Sequence, residues 1–274
     1  MERATAGAQA LSEDRPGAST GDPKLVWAVP CDCTTEDRVG RAMARARVPD
    51  RYRHCDFENF ETDNEIEGVS REQIQAWTRN LSRARLVVKR FAEEFIPLRG
   101  EESQAGLLLM GSCGVGKTHL AVAALKGIVL RGHSGIFYDY RELLKEIQDS
   151  YNAESQTTEM AVLEPVLKAD LLVLDDLGSS KPSLWALETV GHVLNTRYNE
   201  NRATLITTNY RDAEDSGSPG SGFRSMAARA AGSEEPLSER VGKRIRSRLY
   251  EMCRTISIDA PDYRKEIRHA SRRV

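Results

Sequence analysis

The stretch Leu107-Leu108-Leu109-Met110-Gly111-Ser112-Cys113-Gly114-Val115-Gly116-Lys117-Thr118 decides the fold. Its four-residue apolar run reads as a strand, and the glycines that follow read as a turn. The last eight residues fit G-x-x-x-x-G-K-[ST] in full. Glycine leaves no Cβ in the way when successive backbone N–H groups converge on phosphate oxygens, and the start of the next helix adds partial positive charge. Lys117 supplies a point charge for the β/γ-phosphates and Thr118 a hydroxyl for Mg²⁺. A glycine-rich turn with a stray Lys-Thr is the competing reading; the strand before and the helix after set it aside. The expected ATP site is therefore Gly111, Ser112, Cys113, Gly114, Val115, Gly116, Lys117 and Thr118.

Outward from this loop, strands and helices alternate. A helix through Leu130 precedes the β-rich Gly135-Ile136-Phe137-Tyr138, and a further helix starts at Arg141. Leu171-Leu172-Val173-Leu174 reads as a strand buried on both faces, and a helix from Leu184 to Tyr198 leads to another at Ala203 to Thr207. Strands alternating with helices predict an α/β fold with a parallel sheet. A closing helix from Leu237 to Met252 and a strand from Thr255 to Ile258 are expected to end it.

In such a sheet ligands bind at the carboxyl ends of the strands. Asp175 and Asp176 end the Leu171 to Leu174 run, so Asp175 is expected to hold Mg²⁺ and Asp176 to polarise the attacking water. A solvated turn is the alternative for the pair. The Asp176 side chain is one methylene shorter than the Glu often found there, which would slow hydrolysis by misplacing the base. Thr207-Thr208-Asn209 ends the next strand, and puts the Asn209 amide at the same edge; without the other motifs, turn chemistry is the preferred reading. On the closing helix Arg240, Arg244 and Arg248 recur every four residues beside an apolar face of Leu237, Val241, Ile245 and Leu249. They are either a solvated basic face or the source of an arginine that reaches a neighbouring subunit's γ-phosphate.

The chain has 274 residues, 40% hydrophobic, enough for one sizeable core plus extra segments. Residues 1–36 carry no apolar period and read as a disordered tail with a Cys31-x-Cys33 remnant. Residues 37–71 read as a basic and aromatic linker packed on a domain edge, containing Cys55-Asp56-Phe57-Glu58-Asn59-Phe60. Residues 72–265 are the ATPase domain, opening with a helix from Glu72 to Phe95. Within it 212–236 is Ser, Gly and Glu rich and expected to be a flexible insertion; 266–274 is a basic tail. The formal charge of -2 excludes a bulk polycation, so any DNA contact must come from a local patch. Five cysteines and no signal-peptide pattern favour a reducing, cytoplasmic location. No uncharged run approaches the roughly 20 residues of a membrane span. A lone C-x-C, with Cys55 in the next segment, lacks the three or four ligands of a closed zinc site, so no zinc is expected.

The order of motifs resembles the DnaC/DnaI/IstB group of AAA+ ATPases: Gly-Ser-Cys-Gly-Val-Gly-Lys-Thr, Leu-Leu-Val-Leu-Asp-Asp-Leu-Gly, Ile-Thr-Thr-Asn-Tyr, Ser-Glu-Arg-Val-Gly-Lys-Arg-Ile-Arg-Ser-Arg-Leu and Asp-Tyr-Arg. The resemblance runs from about Val48 to about Lys265. It implies a P-loop NTPase of AAA+ type, a three-layer sandwich about a parallel sheet. It further implies Asp175 as Walker B, Asp176 in the catalytic carboxylate position, Asn209 as sensor 1, Arg248 as arginine finger and Arg264 as a sensor-2-like contact. Arg244 stays a rival finger. In such proteins the helix after the second strand contacts single-stranded DNA, which points to Tyr140, Arg141 and Lys145; aromatics near cations suit base stacking and phosphate contact. The partners implied are the replicative DNA helicase, single-stranded DNA and further copies of this chain in a nucleotide-dependent homo-oligomer, without a membrane. A transposition helper of IstB type, acting with a transposase on duplex DNA, and a low-turnover nucleotide-responsive adaptor are the alternatives. Two departures stand out: the short N-terminus without the zinc-binding domain of Gram-positive loaders, and the insertion at 212–236.

Overall fold

A computed structural model describes residues 32–63, 66, 68–97, 106–152, 157–181, 183–212 and 236–266, with side chains from residue 37 onward. The helices are α1 (Asp32–Arg45), α2 (Arg71–Glu93), α3 (Lys117–Leu130), α4 (Tyr140–Asp149), α5 (Glu159–Lys168), α6 (Leu184–Asn199), α7 (Leu237–Val241), α8 (Lys243–Met252) and α9 (Tyr263–Glu266). The strands are β1 (Gly106–Gly111), β2 (Gly135–Asp139), β3 (Leu171–Asp175), β4 (Ala203–Thr208) and β5 (Cys253–Ile258). They form one sheet in the order β2-β3-β4-β1-β5, and every pairing is parallel.

Side chains alternate across the pleat, so each strand feeds two cores. Leu107, Leu109, Phe137, Leu171, Val173 and Leu205 face α1, α2 and α3. Leu108, Met110, Ile136, Leu172, Leu174 and Ile206 face α4 to α8. The result is the expected three-layer α/β sandwich. Ser70 caps α2 by accepting from the Gln73 N–H, Thr158 caps α5 and Ser183 caps α6, which sets where each helix begins.

Three local expectations are corrected. The closing helix is two helices, because Gly242 between them takes φ 79° and ψ 152°, a conformation open to a residue without Cβ. Arg240 is thereby removed from the continuous face expected to hold it with Arg244 and Arg248. A helix absent from the sequence reading, α5, carries Pro165 inside it. The helix α1 starts at Asp32, inside the stretch expected to be a disordered tail. After it, Met43, Ala46, Val48, Cys55 and Phe60 are buried with α3 in the first core. The Phe137 N–H donates to the Ala46 carbonyl at 2.8 Å, so this segment shields the free edge of β2. Residues 1–31, the Ser/Gly-rich 213–235 and the basic 267–274 lie outside the described residues. Where that insertion departs and returns, Leu237 N–H donates to the Arg211 carbonyl at 3.0 Å, and Arg246 and Tyr250 both donate to buried Asp212. Among the described residues no helix is long and apolar enough to cross a membrane.

Arg197 on α6 is fully buried, and its guanidinium donates to the carbonyls of Val166 (2.8 Å), Ala169 (2.9 Å) and Ala203 (2.5 Å) and to the Thr204 hydroxyl (3.0 Å). It thus collects carbonyls freed at the end of α5 and the start of β4, and burial pulls its pKa down to about 9. Arg197→Ala leaves several buried carbonyls unpaired and should cost about 3 kcal/mol or more in urea denaturation. Arg197→Lys should recover only part of this, since one ammonium cannot span all four acceptors. An alanine variant within 1 kcal/mol of the parent (roughly the net value of one hydrogen bond) refutes the clamp.

Candidate functional site

The glycine-rich loop leaves β1 at Gly111 and enters α3 at Lys117. Gly114 (φ 79°) and Gly116 (φ 92°) hold the left-handed turns that let the backbone curl back over the helix N-terminus. A Cβ at Gly116 would lie 2.5 Å from the Phe60 ring, so conformation and packing both demand glycine there. Lys117 is buried, and its ammonium donates to the carbonyls of Gly111 (3.0 Å) and Ser112 (2.7 Å) and to the Asn209 side-chain oxygen (2.7 Å).

The ends of β3 and β4 complete a closed circuit of hydrogen bonds. The Thr118 hydroxyl donates to the Asp175 carboxylate at 2.9 and 3.0 Å, and the Thr207 hydroxyl donates to it at 2.6 Å. Asp176 N–H donates to the Thr207 oxygen at 2.9 Å. The Asn209 amide donates to the Asp176 carboxylate at 2.5 Å and accepts from Lys117. Asp176 is at φ 57°, a strained position for a residue with Cβ. Thr207 was not singled out in the sequence, although its place in Thr-Thr-Asn, two residues before Asn209, is the available signal.

Burial pushes the Asp175 carboxyl up to about 6, with the Thr207 and Thr118 hydroxyls opposing and the Asp176 and Asp139 charges adding. Asp176 is raised too, again chiefly by burial and then by Asp139, against Arg141 and Lys117. Burial pulls the Lys117 ammonium down, while Asp176 and Asp175 hold it up. The paired hard oxygens of Thr118 and Asp175 suit a small divalent cation that keeps several waters. Among the described residues there is no cluster of three or more His, Cys, Asp or Glu with metal-ligand geometry.

Of the other expected site residues, Arg264 comes to the loop: Tyr263 N–H donates to the Gly114 carbonyl at 3.2 Å, Asp262 packs on Gly114, and the Arg264 charge reaches Lys117. Arg248 does not. Its guanidinium lies 4.8 Å from the centre of the Tyr198 ring, and Arg244 is exposed on the same helix. Tyr140 is corrected as a base-stacking residue, because it is 1% exposed and its ring is spent in the second core. Arg141 and Lys145 are exposed, and Arg141 stands near Asp139 and Asp176. Cys55 is buried, whereas Cys31 and the side chain of Cys33 lie outside the described residues.

Two contacts had no local signal. The Cys55–Phe60 segment is strapped to the start of α3: His119 Nε2 pairs with the Asp56 carbonyl at 2.8 Å, Lys126 with the Asp56 carboxylate at 2.7 Å, and Phe60 covers Gly116. Arg240 stacks over Tyr210, 4.7 Å from the ring centre, with its Cβ against Gly178. It is therefore the arginine of its segment that packs beside the Asp176 and Asn209 turns.

Fold and site together define a P-loop nucleotide-binding protein of AAA+ type. A family model described as IstB-like ATP binding protein matches residues 81–216. The replicative helicase loader DnaC of Escherichia coli K12 is 28% identical over 204 residues, which cover 71% of this chain and 75% of that one. The DnaC of Buchnera aphidicola subsp. Schizaphis graminum is 25% identical over 172 residues, 63% of this chain and 62% of its own length. A crystal structure of the DnaC helicase loader is 32% identical, covers 77% of this chain and 100% of that chain, and superposes with a TM-score of 0.55. The chain belongs to the DnaC/IstB-like AAA+ family.

The raised Asp175 carboxyl sets a pH dependence. Its folded pKa (about 6) lies above the ordinary 3.8, so folding favours the protonated form. In the nucleotide-free protein its contribution to stability is fully present below about pH 4, declines as pH rises to about 6, and is flat above. Asp175→Asn removes the buried charge, and urea denaturation should find it more stable than the parent by about 1–3 kcal/mol at pH 8, the gain shrinking towards pH 4. A variant less stable than the parent at pH 8 would show that the charged form is not disfavoured by the fold.

Proposed function

We propose that this chain is an ATP-dependent switch of the helicase-loader kind, which binds single-stranded DNA, assembles with further copies of itself and delivers the replicative DNA helicase. The observation that carries the ATP site is the closed circuit from Thr118 through Asp175, Thr207, Asp176 and Asn209 to Lys117. It brings a cation, a cation-binding carboxylate, a base and an amide together at the mouth of a phosphate loop. The likeness to helicase loaders supports the biological role.

ATP enters with its β- and γ-phosphates on the loop N–H groups. Lys117 leaves the Gly111 and Ser112 carbonyls for phosphate oxygens, a better partner for a buried ammonium. Thr118 and Asp175 are the residues that would hold Mg²⁺, which when bound neutralises charge on the transferring phosphoryl group. Asp176 orients a water for in-line attack on the γ-phosphorus and takes its proton as the bond to ADP breaks; Asn209, already on Asp176, holds that water and senses the γ-phosphate. Arg264 contacts the phosphates from the same subunit. Arg248 or Arg244 reaches the site of a neighbouring subunit; in its own chain Arg248 lies over Tyr198, and Arg244 is exposed. Arg141 and Lys145 meet DNA phosphates. The reaction belongs to the cytoplasm.

A second reading, a transposition helper acting with a transposase on duplex DNA, is favoured by the description of the matching family as IstB-like. Lys117→Ala should lose about 3 kcal/mol of ATP binding, roughly 100-fold, by removing a charge-assisted contact; affinity retained in calorimetry removes the ATP assignment. Co-elution with the host's replicative helicase in the presence of ATP, Mg²⁺ and single-stranded DNA, lost in Lys117→Ala, is the result expected of a loader. ATP binding without a helicase complex, together with preference for duplex DNA, would give the transposition reading its place.

A further inference from the structure

At the end of the sheet away from the phosphate loop, a cleft of about 490 Å³ opens between α1 and the turn from α3 to β2. Arg38, Arg41 and Arg45 line one wall; Gly132, His133 and Ser134 form the floor. The arginines are spaced three and four apart, so they share one face of α1, while Met43 buries the other in the first core. All three are exposed, and among the described residues none of them pairs with a carboxylate.

The floor is fixed from below. Arg131 donates to the carbonyls of Ala92 and Glu93, and His133 packs edge-on against Phe95 with ring centres 5.5 Å apart. Among the described side chains, two acidic residues lie nearby. Asp170 spends one carboxylate oxygen on the Ser134 N–H (2.9 Å) and hydroxyl (2.7 Å), and Asp37 is exposed on the helix just before Arg38. Among the described side chains, three guanidinium groups thus outnumber the free acidic charge near them, in a chain whose net charge is -2.

The geometry points to a binding site for the phosphate backbone of a nucleic acid, separate from the ATP site and from Arg141 and Lys145. The first and last arginines are about 10 Å apart along the helix axis, at about 1.5 Å per residue. That matches three phosphate steps of one B-form strand, at about 3.4 Å each along the duplex axis. Planar guanidinium forks suit phosphate oxygens. A protein partner fits less well: Ala42, Gly132, Ser134 and Gly135 are small, the half-buried Val129 is the one larger aliphatic side chain of the lining, and none of the lining residues is the Phe, Tyr or Trp on which protein interfaces depend. Small residues instead leave room for a flexible chain to lie along the row.

The site shares only the DNA ligand with the proposed function, and the test separates the two. Full-length protein is titrated with labelled single-stranded and duplex oligonucleotides over a range of salt, as parent, as R38Q/R41Q/R45Q, as R38K/R41K/R45K and as R141Q/K145Q. The Gln triple should bind about tenfold or more weakly, with a slope of log K on log salt shallower by about 2, from about 0.7 per phosphate contact on a single strand. The Lys triple should keep most of the slope, because the charge remains. Calorimetric ATP affinity and the thermal melting point should not move in either triple, since these side chains pack against nothing in the core. The oligonucleotide that loses more affinity tells which strandedness uses the cleft. A Gln triple with the parent's affinity and slope on both oligonucleotides overturns the proposal, and loss confined to R141Q/K145Q leaves DNA binding with the proposed function alone. A parent that binds neither oligonucleotide removes both. Loss of binding to a polyglutamate probe, with DNA binding unchanged, would assign the cleft to an acidic protein segment instead.

Discussion

The strand order makes the site. With β4 between β1 and β3, the phosphate loop at the end of β1 and the acid pair at the end of β3 are one strand apart. Whatever ends β4 must bridge them, and Thr207 and Asn209 do so: one touches Asp175 and the Asp176 backbone, the other Asp176 and Lys117. A sheet with β1 directly beside β3 would press the lysine onto the carboxylates and leave no seat for an amide. Parallel pairing matters as much, because it sends all three carboxyl ends to one edge. The two cores on either face hold that order, and the buried Arg197 of α6 ties the start of β4 to the end of α5.

The circuit is also electrostatically unsettled, which suits a switch. A buried ammonium is held by carbonyl dipoles and an amide, and a buried carboxylate by two hydroxyls. Burial disfavours the charged form of each. The left-handed Asp176 adds backbone strain beside them. In the proposed reading, a phosphate chain with its cation would offer both charges better partners than they have, and that binding energy would be available for rearranging Asn209 and the turns it joins. Because Asn209 bonds to Lys117 and Asp176 together, neither can change partner without releasing it.

How much of this was legible in the sequence depended on the range of the interaction. The loop, the acid pair and the order of strands and helices are local patterns: an apolar run, its polar terminator, glycines in the turn. Asn209 was visible for the same reason, sitting where a strand ends. Tyr140 was misread because an aromatic between Asp139 and Arg141 has the composition of an exposed patch, while its ring turns inward with Leu143 and Ile147 to the second core. Gly242 was passed over because the apolar spacing of Leu237, Val241, Ile245 and Leu249 continues across it, and spacing alone does not report backbone conformation. Arg197 could not be recognised as a core residue, since its partners are carbonyls, which carry no sequence signal. The break has a structural consequence: it frees α7 to set Arg240 on Tyr210, next to the turn that carries Asn209.

The strap makes the last connection, between the N-terminal part of the described chain and the phosphate loop. Residues after α1 first shield β2 through the Ala46 carbonyl, then cross to α3, where Phe60 closes on Gly116 and Asp56 is held by His119 and Lys126. His119 directly follows Thr118, so the helical turn that presents the hydroxyl to Asp175 also carries the ring that grips the strap. Tyr263 donates from the other side to Glu61, and its backbone N–H to Gly114. Segments 202 residues apart in sequence therefore meet across the loop (Glu61 and Tyr263). A shift in the loop cannot remain local, since it must displace the strap before α2, the segment around Asp262, or both. The helix α1 is joined to the same strap by continuous chain anchored in the first core at Ala46, Val48, Cys55 and Phe60.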